Sequence, residues 1–445
     1  MTTVSRQVIR ATTRGLAKVF RRSLVEAGGG GRRWQGAPML AAPQQSALAA
    51  RGPAKARAAG LYTNTAYGNR IVEAWTSALV GRGYQARSQH PDPAVRRRLN
   101  DEFEAMANPA LAPLARALVR DGEAFLRLAP LEDGGLRLHH LAADQIDPSL
   151  TRELDGGARI VAGIEFDAGD RVAAYHVLRE APGAPFATFG EAVRVPAPDM
   201  LHAFDRLFPG QVRGLSWLTP VLLKLRDRDE ASDALLMQLK VASLITGFIR
   251  DPEGGAAGFD EAASGGQVNV SLEPGAMRIL PPGADVTFSS PGQGLAQAVE
   301  FLRAQDREIA AGVGLTFEAL TGDLGEANYS SARVGLLEFR RRAEMLQRNL
   351  IEDQVLRPLW RRWIDSQSLA GAIPAGEAAL YYGVRFVGPG WAWVDPRNEI
   401  EAEIAAINAG LKSREEVVAG RGRDVDDLDE ELARDARRPT QGATE

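Results

Sequence analysis

The stretch that decides the fold runs from Ala298 to Ile364: AVEFLRAQDREIAAGVG (298–314), LTFEALTGDLGEANYSSAR (315–333), then VGLLEFRRRAEMLQRNLIEDQVLRPLWRRWI (334–364). It reads as helix, glycine-broken loop, long helix. The third piece carries mostly strong helix formers, and its apolar residues Phe339, Leu346, Leu350, Leu356, Trp360 and Trp363 recur at helical spacing. Uninterrupted from Val334 to Asp365, such a helix would reach about 45–50 Å at the usual rise per residue. Pro358 is expected to kink or divide it. Glu338 is in reach of Arg341 or Arg342, and Glu344 of Arg348, at i,i+3 or i,i+4. Arg340, Arg341 and Arg342 are successive and cannot form one cationic stripe.

The loop has Gly312, Gly314, Gly322 and Gly325, more backbone freedom than a packing connection needs. Ser330 or Ser331 suits the N-cap of the helix that follows. A structured loop of this length usually has a task.

Outward from this stretch, the chain has 445 residues, enough for more than one domain and a large core. Its 45% apolar and 25% charged residues are those of a soluble protein. A formal charge of −4 argues against a protein whose main task is to hold nucleic acid tightly. With no cysteine there is no disulfide framework and no thiolate chemistry. The longest apolar run, Val241 to Ile249, is too short to span a bilayer.

Residues 1–57 read as a basic arm and extended linker. Arg6, Arg10, Arg14, Lys18 and Arg22 recur every four residues, the pattern of a cationic amphipathic helix. Contact with a partner or phosphate, a solvated tail and a presequence-like segment all remain open for it. Residues 36–57, rich in Ala, Pro and Gln, read as extended. Helices are expected over Asn69–Val80, Pro93–Ala107 and Pro113–Gly122, and strands over Glu123–Ala129 and Leu136–Leu141. Arg159–Phe166 should pair with Val172–Leu178. A helix is expected from Trp217 to Leu239, and strand-like pieces at Gln267–Leu272, Met277–Leu280 and Val286–Phe288. Asp395 and Ser413 should cap two late helices, with residues 420–445 charge-rich and frayed. The fold class is α+β.

The usual catalytic signatures are missing: no phosphate-binding GxxxxGK[ST], no HExxH and no GxSxG. His139, His140, His176 and His202 lack ligand spacing and read as structural. Asp424, Asp426, Asp427 and Asp429 lack the glycine and closing glutamate of a calcium loop and read as a solvated acidic turn. Asn328-Tyr329-Ser330 is a glycosylation sequon with no secretory signal to give it meaning. Self-contained catalysis is not expected, nor a cofactor or metal.

Four blocks carry a family resemblance: YTNTAYGNRIVEAWTSALVGRGYQ (62–85), LHAFDRLFPGQVRGLSWLTPVL (201–222), GVGLTFEALTGDLGEANYSSARVGLLEFRR (312–341) and WAWVDPRNEIEAEIAAINAGLKSREEVVAGRGRD (391–424). In order and spacing the chain resembles the lambda-like portal proteins of tailed bacteriophages, over roughly Arg51 to Ala436. The resemblance implies a wing over 58–210, a first stem helix in 211–250, a clip over 251–293 and a second stem helix over 294–313. It further implies a tunnel loop over 314–332, a long wing helix with return strands over 333–395, and a helical crown with a frayed tail over 396–445. It implies a ring, expected as a dodecamer, that forms the DNA channel at a capsid vertex of the virion and is assembled in the host cytoplasm. The implied partners are further copies of the chain, the terminase large subunit, a head–tail adaptor, the major capsid protein and double-stranded DNA in transit. Thr316, Glu318, Asp323, Glu326, Asn328, Tyr329, Ser330 and Ser331 would then face DNA. The charged members, Glu318, Asp323 and Glu326, are all acidic, which favours a sliding sleeve over a clamp. Another virion connector component and an enzyme without recognisable motifs stand as alternatives.

Overall fold

The computed structural model describes residues 42–185, 190–244, 248–250, 278–280, 291–325, 329–374, 376–393 and 395–437, with backbone only at 241–244, 248–250, 278–280, 291–296 and 329–331. The chain divides into two units, Met1–Ala47 and Leu48–Glu445. Of the first, only residues 42–47 are described; they open helix α1 (Pro43–Asn64). The basic arm of the sequence reading lies outside the described residues.

Helix α1 corrects the extended reading over 43–57; residues 36–41 lie outside the described residues. Alanine supplies helix propensity, and Pro53 faces solvent, where the carbonyl it strands can be hydrated. Helix α2 (Ala66–Val80) follows as expected, with Thr65 accepting the Gly68 N–H at 3.1 Å and Gly81 ending it at φ 44°. After strand β1 (Gln85–Ser88) comes α3 (Pro93–Asp121), one helix of 29 residues where two were expected. Pro109 and Pro113 lie inside it. Both are solvent-facing, one turn apart, so water replaces the lost bonds. The buried stripe Leu99, Phe103, Ala107, Leu111, Leu114 and Leu118 continues past them.

Two antiparallel sheets follow. One has the order β3-β2-β9, from β2 (Glu123–Pro130), β3 (Leu136–Leu141) and β9 (Met200–Phe204). The other runs β4-β5-β6-β7-β8, from Arg152–Glu153, Arg159–Val161, Ile164–Phe166, Val172–Val177 and Val193–Pro196. The expected single strand over 159–166 is a hairpin. Ala162 and Gly163 both adopt positive φ, 49° and 81°, which reverses the chain within two residues. Its second arm pairs with β7 as anticipated.

Helix α4 (Leu222–Leu244) begins five residues later than expected, because Pro220 sits in a tight 3-10 turn over Thr219–Val221. Strands β10 (Phe248–Arg250) and β11 (Arg278–Leu280) pair in parallel. The latter falls within the expected piece at 277–280; the pieces at 267–272 and 286–288 lie outside the described residues. Helix α5 (Pro291–Val313) returns antiparallel to α4: Lys224 bonds Glu308 at 2.8 Å and Arg228 bonds Asp306 at 2.9 Å. After the short α6 (Phe317–Thr321), α7 (Tyr329–Leu346) passes through a π-helical stretch, Gln347–Leu356, into α8 (Arg357–Leu369). Pro358 therefore does not break the helix. The wider turns before it, such as the Arg357 N–H to Glu352 carbonyl bond, accommodate the missing donor. The expected Glu344–Arg348 pair is replaced: Arg348 bonds Glu352 at 2.7 Å, and Glu344 accepts from Trp391 at 2.9 Å.

A short turn, α9 (Ala378–Tyr381), leads to β12 (Val384–Val387), which pairs with β1. Three helices end the described chain: α10 (Pro396–Asn408), α11 (Arg414–Ala419) and α12 (Val425–Arg437). Asp395 and Ser413 cap the first two as expected. The third replaces the expected fraying over 425–437; residues 438–445 lie outside the described residues. Asp424 accepts the N–H groups of Asp426 and Asp427 and so starts a helix from the aspartate run. The main core gathers α2, α3, the bases of α4 and α5, and α8. A second, smaller core lies between the sheets around Phe125, Ile146, Ile164 and Tyr175.

Candidate functional site

The segment joining α5 to α7 is fixed firmly at its root. Trp75, fully buried in α2, donates its indole N–H to the Val313 carbonyl at 3.0 Å. Around Trp75 stand Trp217 (5.3 Å between rings), Phe339 (5.0 Å) and the Arg342 guanidinium (5.5 Å). The chain turns at Gly314, φ 71°, where a Cβ would meet Arg342 Nη1 at 2.2 Å. Thr316 caps α6 by accepting the Ala319 N–H at 3.1 Å, and Arg70 donates to the Ala319 carbonyl at 2.7 Å. Gly322, in the left-handed region, ends α6 on the Glu318 carbonyl.

The sequence-predicted residues thus fall into three groups. Thr316 is a cap and Glu318 lies half-buried in α6. Asp323 is not an unpaired acid: Arg303 of α5 bonds it at 3.0 Å, and it accepts the Gly325 N–H at 3.0 Å. That backbone bond first, and Arg303 with it, hold its carboxyl below the usual range. Tyr329, Ser330 and Ser331 are already helical, so neither serine is the N-cap that was anticipated. Glu326 and Asn328 lie outside the described residues. Beyond the root, Leu324 is 70% exposed.

Among the described side chains of α4 and α5, the buried ones lie at the bases of the two helices. Leu222 and Leu225 of α4, and Asp306, Ile309, Ala310 and Val313 of α5, are buried. Asp306 receives Arg228 and the Tyr67 hydroxyl, with Arg228 lying over the Tyr67 ring at 4.6 Å. Farther out, Leu236, Met237, Leu239, Val299 and Phe301 are exposed, an apolar surface beyond the body of the chain.

A second constellation escaped the sequence reading. Glu123, the first residue of β2, is fully buried and holds two buried arginines. Arg51 Nε and Arg213 Nη2 each lie 2.8 Å from Oε1, and Arg213 Nε lies 3.0 Å from Oε2. His202 Nε2 is 3.1 Å from Oε2, which also accepts the Gly214 N–H. The remaining guanidinium donors go to the carbonyls of Ala143, Ile146 and Ala162. Here the backbones touch. A Cβ on Gly122 (φ 89°) would lie 2.0 Å from the Leu215 carbonyl carbon, and one on Gly214 2.1 Å from the Gly122 oxygen. The signal available in sequence was a glycine beside each charge, Gly122-Glu123 and Arg213-Gly214, at the edges of apolar runs. This knot has no open coordination position and serves structure.

Burial alone would raise the Glu123 carboxyl pKa, but Arg213, His202 and Arg51 outweigh it and hold it well below the ordinary range. Burial lowers that of His202, against the pull of Glu123. Both folded-state values lie below the unfolded ones, so both groups add stability at neutral pH that is lost on acidification. His202 begins to withdraw its share as pH falls below about 6.5 and Glu123 below about 4.3. Chemical denaturation midpoints should therefore fall between neutral pH and pH 5, and His202→Phe should flatten that first part of the profile. Of the other histidines, His176 pairs with Glu165 at 3.0 Å, while His139 and His140 lie on β3. Among the described residues no three acidic, histidine or cysteine side chains gather as a metal site. No described helix is long and apolar enough to cross a membrane.

Comparison with known proteins adds the following. The family described as phage portal protein, lambda family, matches residues 30–347. A probable portal protein of Halomonas phage phiHAP-1 is 29% identical over 338 residues, 72% of this chain and 64% of that protein. The chain thus spans about two-thirds of the length of that curated relative. Among solved structures, the neck of a native gene transfer agent particle computed with C12 symmetry matches at 19% identity, covering 82% of this chain and 93% of that one, with a TM-score of 0.42. An HK97 family phage portal protein from Corynebacterium diphtheriae matches at 12% identity, covering 72% and 98%, with a TM-score of 0.31.

Proposed function

The chain belongs to the lambda family of phage portal proteins, and from that premise we propose that it is a structural wall segment of a DNA channel. Copies close into a ring, on the family pattern a dodecamer, at one capsid vertex of a virion. Double-stranded DNA enters and leaves through the ring. A terminase docks on the clip, 251–293, and supplies the work; an adaptor later takes that place, and the major capsid protein surrounds the ring. Residues 58–210 form the wing, α4 and α5 the stem, 314–332 the tunnel loop, 333–395 the long helix and returning strand, and 396–445 the crown.

The observation that carries this reading is the antiparallel α4–α5 pair. Its base is built into the core, and its outer length presents Leu236, Met237, Val299 and Phe301 to solvent. Such a surface calls for a neighbour, and identical copies supply one by rotation. The tunnel loop hangs from the inner end of this pair. With Asp323 neutralised by Arg303, Glu318 and Glu326 supply the repulsion toward phosphate, Thr316 shapes the root, and Asn328, Tyr329, Ser330 and Ser331 meet the duplex with weak polar contacts. The loop acts as a sleeve that DNA slides past.

The test is a deletion of Asp323 to Ala327. Electron microscopy of the purified chain should show closed annuli with a through-hole, with or without the deletion. Packaging into proheads should drop at least tenfold in the deleted form. Loss of annuli on deletion would remove the loop from the lumen, and a purified intact chain that forms no annulus would end the channel reading.

A further inference from the structure

Helix α12 is held by charge, not by core, while the turn before it packs its backbone on Gly390 and donates from Arg421 to the Trp391 carbonyl at 2.7 Å. No residue of α10, α11 or α12 is buried. Two contacts fasten the end of the chain to the wing. Arg87 on β1 lies 2.7 Å from Asp424 and 2.5 Å from Asp427. Arg97 on α3 lies 2.8 Å from Glu430. Within the C-terminal region, Arg414 holds Asp429 at 2.6 Å, and Arg423 holds Glu431. The seat is not closely packed: beside Arg82, Tyr84 and Asn108, under Gly422 and Arg423, lies an open cavity of about 500 Å³.

Near these pairs the wing bears further arginines, Arg82 beside the cavity and Arg98 next to Arg97 on α3. Arg82 and Arg98 are exposed and have no ion-pairing carboxylate among the described residues. Arg87 and Arg97 would join them if the helix left, Arg87 keeping only Glu104 at 3.5 Å. The carboxylates of Asp424, Asp427 and Glu430 thus stand where phosphate oxygens would stand on the same guanidinium groups.

We propose that α12 is an internal polyanion: it occupies Arg87 and Arg97 and closes this arginine face of the wing to double-stranded DNA. A protein past which DNA must slide gains from having such a face covered. That use rests on the channel reading, whereas the masking itself does not. Exposed ion pairs of this kind are individually weak and screened by salt, so a high local phosphate concentration competes with them.

The experiment compares the intact chain, a chain ending at Arg423, and a full-length Asp424→Asn, Asp427→Asn, Glu430→Gln variant. Binding of a short mixed-sequence DNA duplex is read by fluorescence anisotropy at low ionic strength. Both altered forms should bind about tenfold tighter than the intact chain, with a salt dependence steeper by about two phosphate contacts. Adding Arg87→Gln and Arg97→Gln to either should return binding to the intact level. An equal affinity for all three forms overturns the proposal. So does a gain that survives loss of the two arginines, which would mean general charge and not this face. The full-length variant keeps the helix in place in sequence, so misfolding of the shortened chain does not decide the matter. The assay needs no ring: a sample without annuli that still shows the gain sinks the channel reading alone.

Discussion

Glu123→Ala should cost the fold about 3–5 kcal/mol, because it leaves the buried Arg213 guanidinium without its counter-charge and Arg51 with only Asp144 at 3.7 Å. Arg213 is 1% exposed and Arg51 4%, so neither can turn to water for compensation. The carbonyls of Ala143, Ile146 and Ala162 accept hydrogen bonds from them but carry no net charge. Glu123→Gln should be nearly as damaging, since it keeps an acceptor and loses the charge. Urea unfolding followed by circular dichroism checks both, the midpoint falling with little change in slope. The network also predicts its own non-additivity. Glu123→Met with Arg51→Met and Arg213→Met should cost less than the sum of the single changes, because removing all the charges strands none of them. A loss below about 1 kcal/mol for Glu123→Ala would place the carboxylate in water and contradict the buried geometry.

Trp75→Ala should be comparably severe, about 3–5 kcal/mol, from a large cavity among α2, α7 and the entry to α4. Its effect is directed as well as large. Trp75 is the donor to the Val313 carbonyl, the last turn before the chain enters the loop. Trp75→Phe should keep most of the packing but drop that bond, at roughly 1–2 kcal/mol. Hydrogen exchange separates the two roles. In Trp75→Phe, the amides of Gly314 and Leu315, which bond Ala311 and Ala310, should exchange faster while those in the middle of α3 keep their protection. Uniform acceleration across α3 would mean that Trp75 stabilises the whole core and does not anchor the loop in particular.

Much of the architecture was legible from sequence because local signals and tertiary demands agreed there. Helix α2 ends at Val80 as expected, Asp395 and Ser413 start α10 and α11, and β3 spans the expected Leu136–Leu141. The failures share a cause. The stretch holding Pro53 was read as extended, one helix was ended before Pro109 and another begun at Pro113, and Pro358 was expected to kink or divide its helix, yet all four lie within helix. At the first three the ring faces solvent, and at Pro358 a run of wide turns precedes it. Exposure of one side chain is a tertiary fact that no local window contains. The same holds for the charge runs. Asp424 to Asp429 looked solvated because Arg87 lies some 340 residues upstream in sequence. Glu123 was read only as the start of a strand for the same reason, its two arginines arriving from α1 and from the segment before α4. The partner of Asp323, Arg303, likewise lies twenty residues earlier, outside the loop.

The stretch from Gln347 to Leu356 has a consequence for how relatives of this chain should be aligned. Each residue in an i→i+5 turn advances through a smaller angle than in an α-turn. The ten residues of this stretch therefore retard the phase of everything after them. Phe339 and Ala343 before it, and Trp360 and Trp363 after it, all meet the main core. A single helical wheel drawn from Tyr329 to Leu369 misplaces one end of the helix relative to the other. A homologue with one residue fewer here, wound as ordinary α-helix over part of the stretch, would keep both aromatic sets in step, so an alignment gap at this point marks a change of winding and not a loop.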